Sequence, residues 1–599
     1  MSEGSPLSIL PVTMEGMSAI ICCMSKKKKK KNKNHSFAKA IPPIIAILLI
    51  LIIGGIYGSA IIREHFAYSH ERMDLSEYYG LTSPDEVAVI IGDEIQDFKA
   101  RYMDGYCYMD IGTVRALFNQ RFYVDEAEGL IIYVEPLTIT TAHISEQGYY
   151  IDGEMHSTPY VPARYDGDTL YLACDFVQLY TNYEYTYYED PRRMQIYTDW
   201  SPRDIASIKK DTQVRYRGGN KSDILVDVAE GDTVYILDPM EEWTGVRTRD
   251  GVIGYVENKR LDNYDTETPI PVTTYTEPEF TSISLDEKIN LTWHSIAGPA
   301  GNDTLSAFMA NAHDINVVSP TWFGLADNQG GISDYGSASY VQTLHDKGIQ
   351  VWGLVSNFVS TDIDTYTILS STTTRRTLIN NLMGVASSYG LDGINIDFEG
   401  LTPECGVHFI QFIRELSVEC RKQHVILSVD NYVPIGNTDF YNRAEQGVYA
   451  DYVIIMGYDE HYAGSEEAGS VASIGYVTQG LENTISEVDP SKVINGIPFY
   501  TRIWDTAGTD VSSQAVDMAT AAAYVADHNI ATEWDETTCQ NYGEYTSGGV
   551  LHQVWLEDAE SIKVKLSVMN AHNIAGVASW RIGMETPDSW DVIADYLHE

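Results

Sequence analysis

The sequence predicts a multidomain chain that ends in a (β/α)8 TIM barrel. Before the barrel it places one N-terminal transmembrane helix, an α+β repeat region and a small all-β domain. Three observations carry this. An uncharged apolar run of 22 residues lies near the start, two similar stretches sit 63 residues apart in the first third, and eight apolar strand-like runs alternate with helical stretches over the last 315 residues. At 599 residues the chain is also too long for one core, and suggests roughly three to five domains.

Residues 1–40 form a basic tail in which Lys26 to Lys31, Lys33 and Lys39 precede the apolar run Ile41 to Ile62, IPPIIAILLILIIGGIYGSAII. That run is long enough at helical rise to cross a bilayer core. A cleaved signal peptide is the competing reading, but its apolar region would be shorter, nearer the start and followed by a small-residue cleavage site. The lysines ahead of the run place the amino terminus in the cytoplasm and everything after Arg63 outside.

In residues 85–200 the stretch from Tyr108, YMDIGTVRALFNQRFYVDEAEGLIIYVEP, is echoed from Tyr171 by YLACDFVQLYTNYEYTYYEDPRRMQIYTD. Each reads as a short strand, a helix and a hairpin. The pattern resembles paired modules of Gram-positive envelope enzymes that are related in name to a copper amine oxidase amino-terminal domain, and it implies no copper. Residues 205–264 offer short strands and turn signals with little helical periodicity. VAEGDTVYIL, Trp243 and GVIGYV at Gly251 to Val256 resemble a bacterial SH3-like domain. Some such domains bind peptidoglycan stem peptides, and others only space a catalytic unit. Residues 265–284, rich in Thr, Pro and Glu, read as a linker stiffened by proline.

Forty Lys and Arg face 85 Asp and Glu, and eight of the lysines lie in the tail, so the remainder is strongly acidic. Such a surface excludes nucleic acid and anionic membrane surfaces as partners, because both are polyanions. Seven cysteines, with Cys22 and Cys23 on the cytoplasmic side, leave an odd five outside and no disulfide framework. Cys405 and Cys420 fall on one predicted amphipathic helix, roughly 22 Å apart, too far to bridge. No Cys/His spacing resembles a zinc site, so neither metal nor cofactor is expected.

The eight candidate strands of residues 285–599 are KINLTWHSI, INVVSPTWF, IQVWGLVSN, LDGINIDFE, VILSVDN, DYVIIMGYD, KVINGIPFY and IAGVASW. In a barrel of this kind the active site lies at the carboxyl ends of the strands. The fourth ends in acids. Ile394, Ile396 and Phe398 alternate with Asn395, Asp397 and Glu399, so one row packs outward and the other points inward. Two acids one pleat apart in an apolar strand push each other's pKa values apart, as general acid catalysis on a glycosidic bond requires. A cation site or a solvated strand end is the bland alternative.

LDGINIDFE resembles the D-x-x-D-x-D-x-E signature of family 18 glycoside hydrolases. Further likenesses are Met456, Tyr458 and Asp459 in MGYD, GIPFY at Gly496 to Tyr500, and Trp580 at the end of the eighth strand. The segments VVSPTWF and DEHYAGSEEAGSVASIG are similar to spore-cortex-lytic and envelope N-acetylglucosaminidases of that family. The resemblance implies a retaining, substrate-assisted hydrolase of N-acetylated glycans, peptidoglycan or chitin-like. Glu399 would protonate the leaving oxygen and then activate water. Asp397 would hold the acetamido N–H and stabilise an oxazolinium, with Tyr458 donating to its oxygen. Trp580 would floor the distorted sugar, Met456 and Asp459 would complete the substrate-binding set, and Asp392 and Asn395 would support it from below through hydrogen bonds.

The same likeness leaves room for a chitinase, a host-glycan endo-N-acetylglucosaminidase or a non-catalytic lectin. Asn395 stands where the family pattern has an aspartate, which leads to the expectation that Asp397 stays ionised over a wide pH range. The 70 or so residues after Trp504 read as a hairpin, with a shallow cleft as the consequence.

Overall fold

The computed structural model describes residues 41–358 and 362–598; the basic tail, with Cys22 and Cys23, lies outside them. The apolar run forms a 26-residue helix, Ile41–Phe66, and within it Ile45–His65 is long and apolar enough to cross a membrane. The chain leaving this helix is pinned to the edge of the small all-β domain. Ser69 N donates to Asn220 O (2.7 Å), Met73 N to Ile224 O (3.0 Å), and Arg72 pairs with Asp227.

The repeat region builds two sheets. One has seven strands in the order 184–188, 193–197, 86–91, 94–103, 106–110, 169–173, 163–166, and the other is a five-stranded antiparallel meander over 123–156. The two echoed stretches begin with strands that pair with each other antiparallel, Tyr108 opposite Ala173 and Asp110 opposite Tyr171. The hairpins that follow them go to different sheets, 123–134 to the meander and 184–197 to the seven-stranded sheet. Residues 203–267 form a second seven-stranded sheet. Buried Arg247 reaches from it to Asp93 of the repeat region (2.7 Å).

The eight candidate strands each supply one strand of a closed, all-parallel barrel: β1 (Ile289–His294), β2 (Val317–Pro320), β3 (Gln350–Ser356), β4 (Gly393–Asp397), β5 (Ile426–Tyr432), β6 (Tyr452–Met456), β7 (Val493–Pro498) and β8 (Gly576–Trp580). β8 pairs β1, with Ile289 opposite Gly576, and closes the ring. Continuous Val and Ile runs suit strands covered on both faces. Between β7 and β8 the expected hairpin is instead a five-stranded antiparallel sheet over 500–556 with a helix, Met518–Asp527. Short alternating runs separated by Gly turns gave each strand a partner, so the segment carries more structure than its length suggested.

The meander packs on the barrel. Its Tyr123, Leu130, Ile132 and Val134 share one core with the barrel helices. Asp125 accepts from Thr372 N (2.6 Å) and Glu128 from Thr373 N (2.7 Å), capping the helix Thr372–Tyr389 from another domain. Of the linker stretch, Phe280 stacks edge-on against Tyr449 and Ile283 N donates to Asp451 (2.7 Å), so its carboxyl end is docked on the barrel.

Candidate active site

β4 ends at Asp397, and Glu399 stands just past it at the mouth of a cavity of about 930 Å³ at the carboxyl face of the barrel. An amide clamp fixes this strand end. Asn357, just after β3, accepts from Glu399 N (2.9 Å) through Oδ1 and donates to Glu399 O (2.9 Å) through Nδ2. Tyr432, ending β5, accepts from Gly400 N (3.1 Å) and hydrogen-bonds the Glu399 carboxyl. Burial pushes the Glu399 pKa up; Tyr432 opposes this, and nearby Asp459 adds to it. Burial thus favours the protonated form of this carboxyl, the form that a proton donor needs.

Asp397 is buried, and its Oδ1 has no hydrogen-bond partner. Its pKa is raised well above the ordinary value, by burial first, then by Asp430 and Glu399. The expectation that Asp397 stays ionised over a wide range is therefore wrong. Asn395 does not supply the neighbouring charge, but Asp430 on β5 does. Asn395 is wholly buried under the site: its Oδ1 accepts from Trp293 Nε1 (3.0 Å) and Ser319 Oγ (3.1 Å), and its Nδ2 donates to Asp430 Oδ1 (2.8 Å).

Tyr458, Asp459, Met456 and Trp580 also line the cavity. Asp459 turns the chain with φ 61°, a left-handed conformation that aspartate tolerates better than most residues, and Tyr500 donates to its carboxylate (2.5 Å). GIPFY thus enters the site through its tyrosine. The glycine of MGYD is required by close packing, since a Cβ at Gly457 would lie 2.6 Å from Gly496 O. Trp293 of β1 tilts against Trp580, ring centroids 5.8 Å apart, and both contribute to the cavity wall.

Asp392 is not brought into this group. It precedes β4 at the opposite end of the strand, where its Oδ2 accepts from Val351 N (2.8 Å) and meets His345 Nε2 (2.8 Å). Five residues of extended chain, roughly 16 Å, separate it from Asp397. The sequence reading missed Asp430, Tyr432, Asn357 and Trp293. The signal for Asp430 was present in VILSVDN, where Ser428 and Asp430 occupy the same inward row as Asn395 and Asp397.

Residues 311–585 match the model for Glycosyl hydrolases family 18. This region is a family 18 glycosyl hydrolase domain. The match starts after β1, so the closed barrel reaches beyond the matched residues and takes in Trp293. The chain is 27% identical over 241 residues to the Cortical fragment-lytic enzyme of Bacillus subtilis (strain 168), covering 39% of this chain and 56% of that protein. It is 27% identical over 277 residues to the Uncharacterized glycosylase YvbX of the same organism, covering 41% and 75%. Among solved structures it is similar to the Bacillus cereus spore cortex-lytic enzyme SleL, with 22% identity, 55% of this chain and 79% of that chain covered, and a TM-score of 0.48. The chain spans about half the length of the cortical fragment-lytic enzymes it matches.

Proposed function

We propose that this protein is a membrane-anchored, extracellular glycoside hydrolase that cleaves N-acetylglucosamine-containing glycan of the cell wall by retaining, substrate-assisted catalysis. The carrying observation is Glu399, its pKa raised, at the mouth of a cavity walled by Asp397, Tyr458 and Trp580. Glu399 protonates the departing sugar oxygen while the substrate's own acetamido carbonyl attacks the anomeric carbon, an exception to the two-carboxylate scheme. Asp397 accepts from the acetamido N–H, Tyr458 donates to the acetamido oxygen, and Trp580 supports the distorted ring. Glu399, now ionised, takes a proton from the water that opens the oxazolinium. The helix at 45–65 anchors the chain, with the lysine-rich tail inside. The repeat region and the SH3-like domain carry the barrel outside.

Full-length protein in detergent, given purified peptidoglycan, is expected to release fragments ending in reducing N-acetylglucosamine with the β anomer formed first. Glu399→Gln is expected to lower the rate by about 10²–10⁴ with an unchanged melting temperature. Mass spectrometry and early-time NMR of the products check both. Glu399→Gln activity equal to wild type overturns the assignment of the acid, and cleavage of chitin oligosaccharides but not peptidoglycan overturns the substrate.

A further inference from the structure

The cavity wall holds more acid than the mechanism uses. Asp397 and Glu399 come from β4 and Asp430 from β5, all on the inward side. The parallel register sets Asn395 beside Ser428 and Ile396 beside Val429, so Asp397 and Asp430 stand next to each other on strands about 4.8 Å apart. The other titratable groups around them are Tyr335 after β2, Tyr432 on the same strand as Asp430, Tyr441 after β5, Tyr458, Asp459, Tyr462 and Tyr476 after β6, and Tyr500 after β7 through its bond to Asp459. Among the described residues lining the cavity none is Lys, Arg or His. Two adjacent buried carboxylates with no cation cannot both ionise, so the Asp397–Asp430 pair must hold a proton.

Asn395 keeps that proton off one oxygen of Asp430. With two donors, Trp293 and Ser319, on its Oδ1, the amide can only donate from Nδ2, and it donates to Asp430 Oδ1. Asp430 is thereby held with one oxygen satisfied and the other available. Beside it, Asp397 Oδ1 is buried and has no partner.

We propose that Asp430 is a positioning residue that exchanges a proton with Asp397 during turnover, the part that an aspartate at position 395 would otherwise take, and that Asn395 holds Asp430 in place for it. This rests on the hydrolase reading above. When the acetamido group enters, the O–H bond of Asp397 breaks and an O–H bond forms on the free oxygen of Asp430. Asp397 becomes a carboxylate that accepts from the acetamido N–H and balances the oxazolinium. When water opens the oxazolinium, the proton returns to Asp397. The raised pKa values of both aspartates, from burial and from the neighbouring carboxyls, agree with a shared proton in the resting site.

The test moves the acid. Full-length wild type, Asp430→Asn, Asn395→Asp and the double exchange Asn395→Asp/Asp430→Asn are compared by kcat/KM against pH on a chitobioside with a fluorescent leaving group, and by melting temperature. Asp430→Asn is expected to lose about 10² in kcat with KM nearly unchanged and to shift a limb of the pH profile, and the double exchange to recover at least about tenfold. Asp430→Asn within about threefold of wild type with a superimposable profile, or a folded double exchange no better than Asp430→Asn, overturns the proposal. If Asp430→Asn does not melt cooperatively, Asp430→Ser and the double exchange are read in the same way. Infrared spectra near neutral pH give a readout that needs no turnover. Measured on a Glu399→Gln background, which removes the acid's own proton, the carbonyl band of buried protonated carboxyls is expected to be one carboxyl weaker in Asp430→Asn than with Asp430 present or in the double exchange; an undiminished band in Asp430→Asn overturns the proposal. Should wild type hydrolyse no N-acetylglucosaminide, the hydrolase reading fails and the infrared result alone decides the shared proton.

Discussion

Two regions of this molecule bury carboxylates, and they treat them in opposite ways. At the seam between the meander and the barrel every acid has partners. Glu445 takes Arg414 (2.7 Å) and Arg121 (2.8 Å), Glu415 takes Arg375 (2.9 Å), and Asp125 accepts from both Thr372 N and its hydroxyl. Burial pushes the Glu445 pKa up, but the two arginines overcome it and leave the group below its ordinary value. At the carboxyl face of the barrel, Asp397, Asp430 and Glu399 have no arginine or lysine among the cavity residues, and all three are pushed up. Burial is common to both sites and does not distinguish them. The presence of a cation does, and it separates the acids paired across the seam from the acids to which the proposed mechanism assigns protons.

The contrast breaks most sharply at Glu445. Glu445→Ala leaves Arg414 and Arg121 facing each other unpaired, and is expected to cost about 3–5 kcal/mol of stability in denaturant unfolding. The kcat of the folded fraction should stay within about twofold of wild type. A larger loss of turnover than of stability would mean that the seam also shapes the site.

Stability against pH separates the two sets next. The folded pKa of Glu445 lies below its unfolded value, so its contribution is present above about pH 4.3 and is lost as pH falls through the folded value. Asp397 and Asp430 have raised folded values, so stability is highest below about pH 4 on their account and is lost as pH rises through those values. Glu445→Gln should therefore flatten only the acid side of a melting-temperature profile, and Asp397→Asn should raise only the neutral side. Equal changes on both sides would erase the distinction.

A smaller effect is expected from the clamp on β4. Asn357→Ala removes both hydrogen bonds to the Glu399 peptide and should lower kcat by about tenfold, with KM changed less than about threefold. The smallest belongs to Asp392, at the far end of the same strand. Asp392→Asn should cost under about 1 kcal/mol and leave kcat/KM unchanged, because its partners are His345 and Val351 N. A tenfold fall in kcat/KM would restore Asp392 to the substrate-supporting role that the sequence motif suggested.

The barrel was legible because each of its strands is a continuous apolar run that could be counted, and Glu399 and Asp397 because acids interrupt one of those runs at a period of two. Asp392 was misplaced because a motif gives spacing and not direction: along an extended strand it stands at the wrong end. Asp430 was overlooked because VILSVDN carries its acid one strand away from the motif, and only the register of β4 against β5 brings the two together. The partners of Glu445 and Asp125 could not be read at all, since Arg121 lies 324 positions from Glu445 and Asp125 lies 247 from Thr372. Nothing local in either segment announces the other.

The cap on the helix Thr372–Tyr389 has a consequence for the order in which the chain is made. Ser371, the residue before the helix, offers no side-chain cap of its own, and Asp125 and Glu128 serve in its place. Chains emerge from the amino terminus during synthesis, so the residues of the meander leave the ribosome before this helix does. The groups that cap the first turn of this barrel helix are therefore made before the helix itself. A barrel produced from residue 285 onward would begin that helix with bare N–H groups and an uncovered apolar patch where Tyr123, Leu130, Ile132 and Val134 pack.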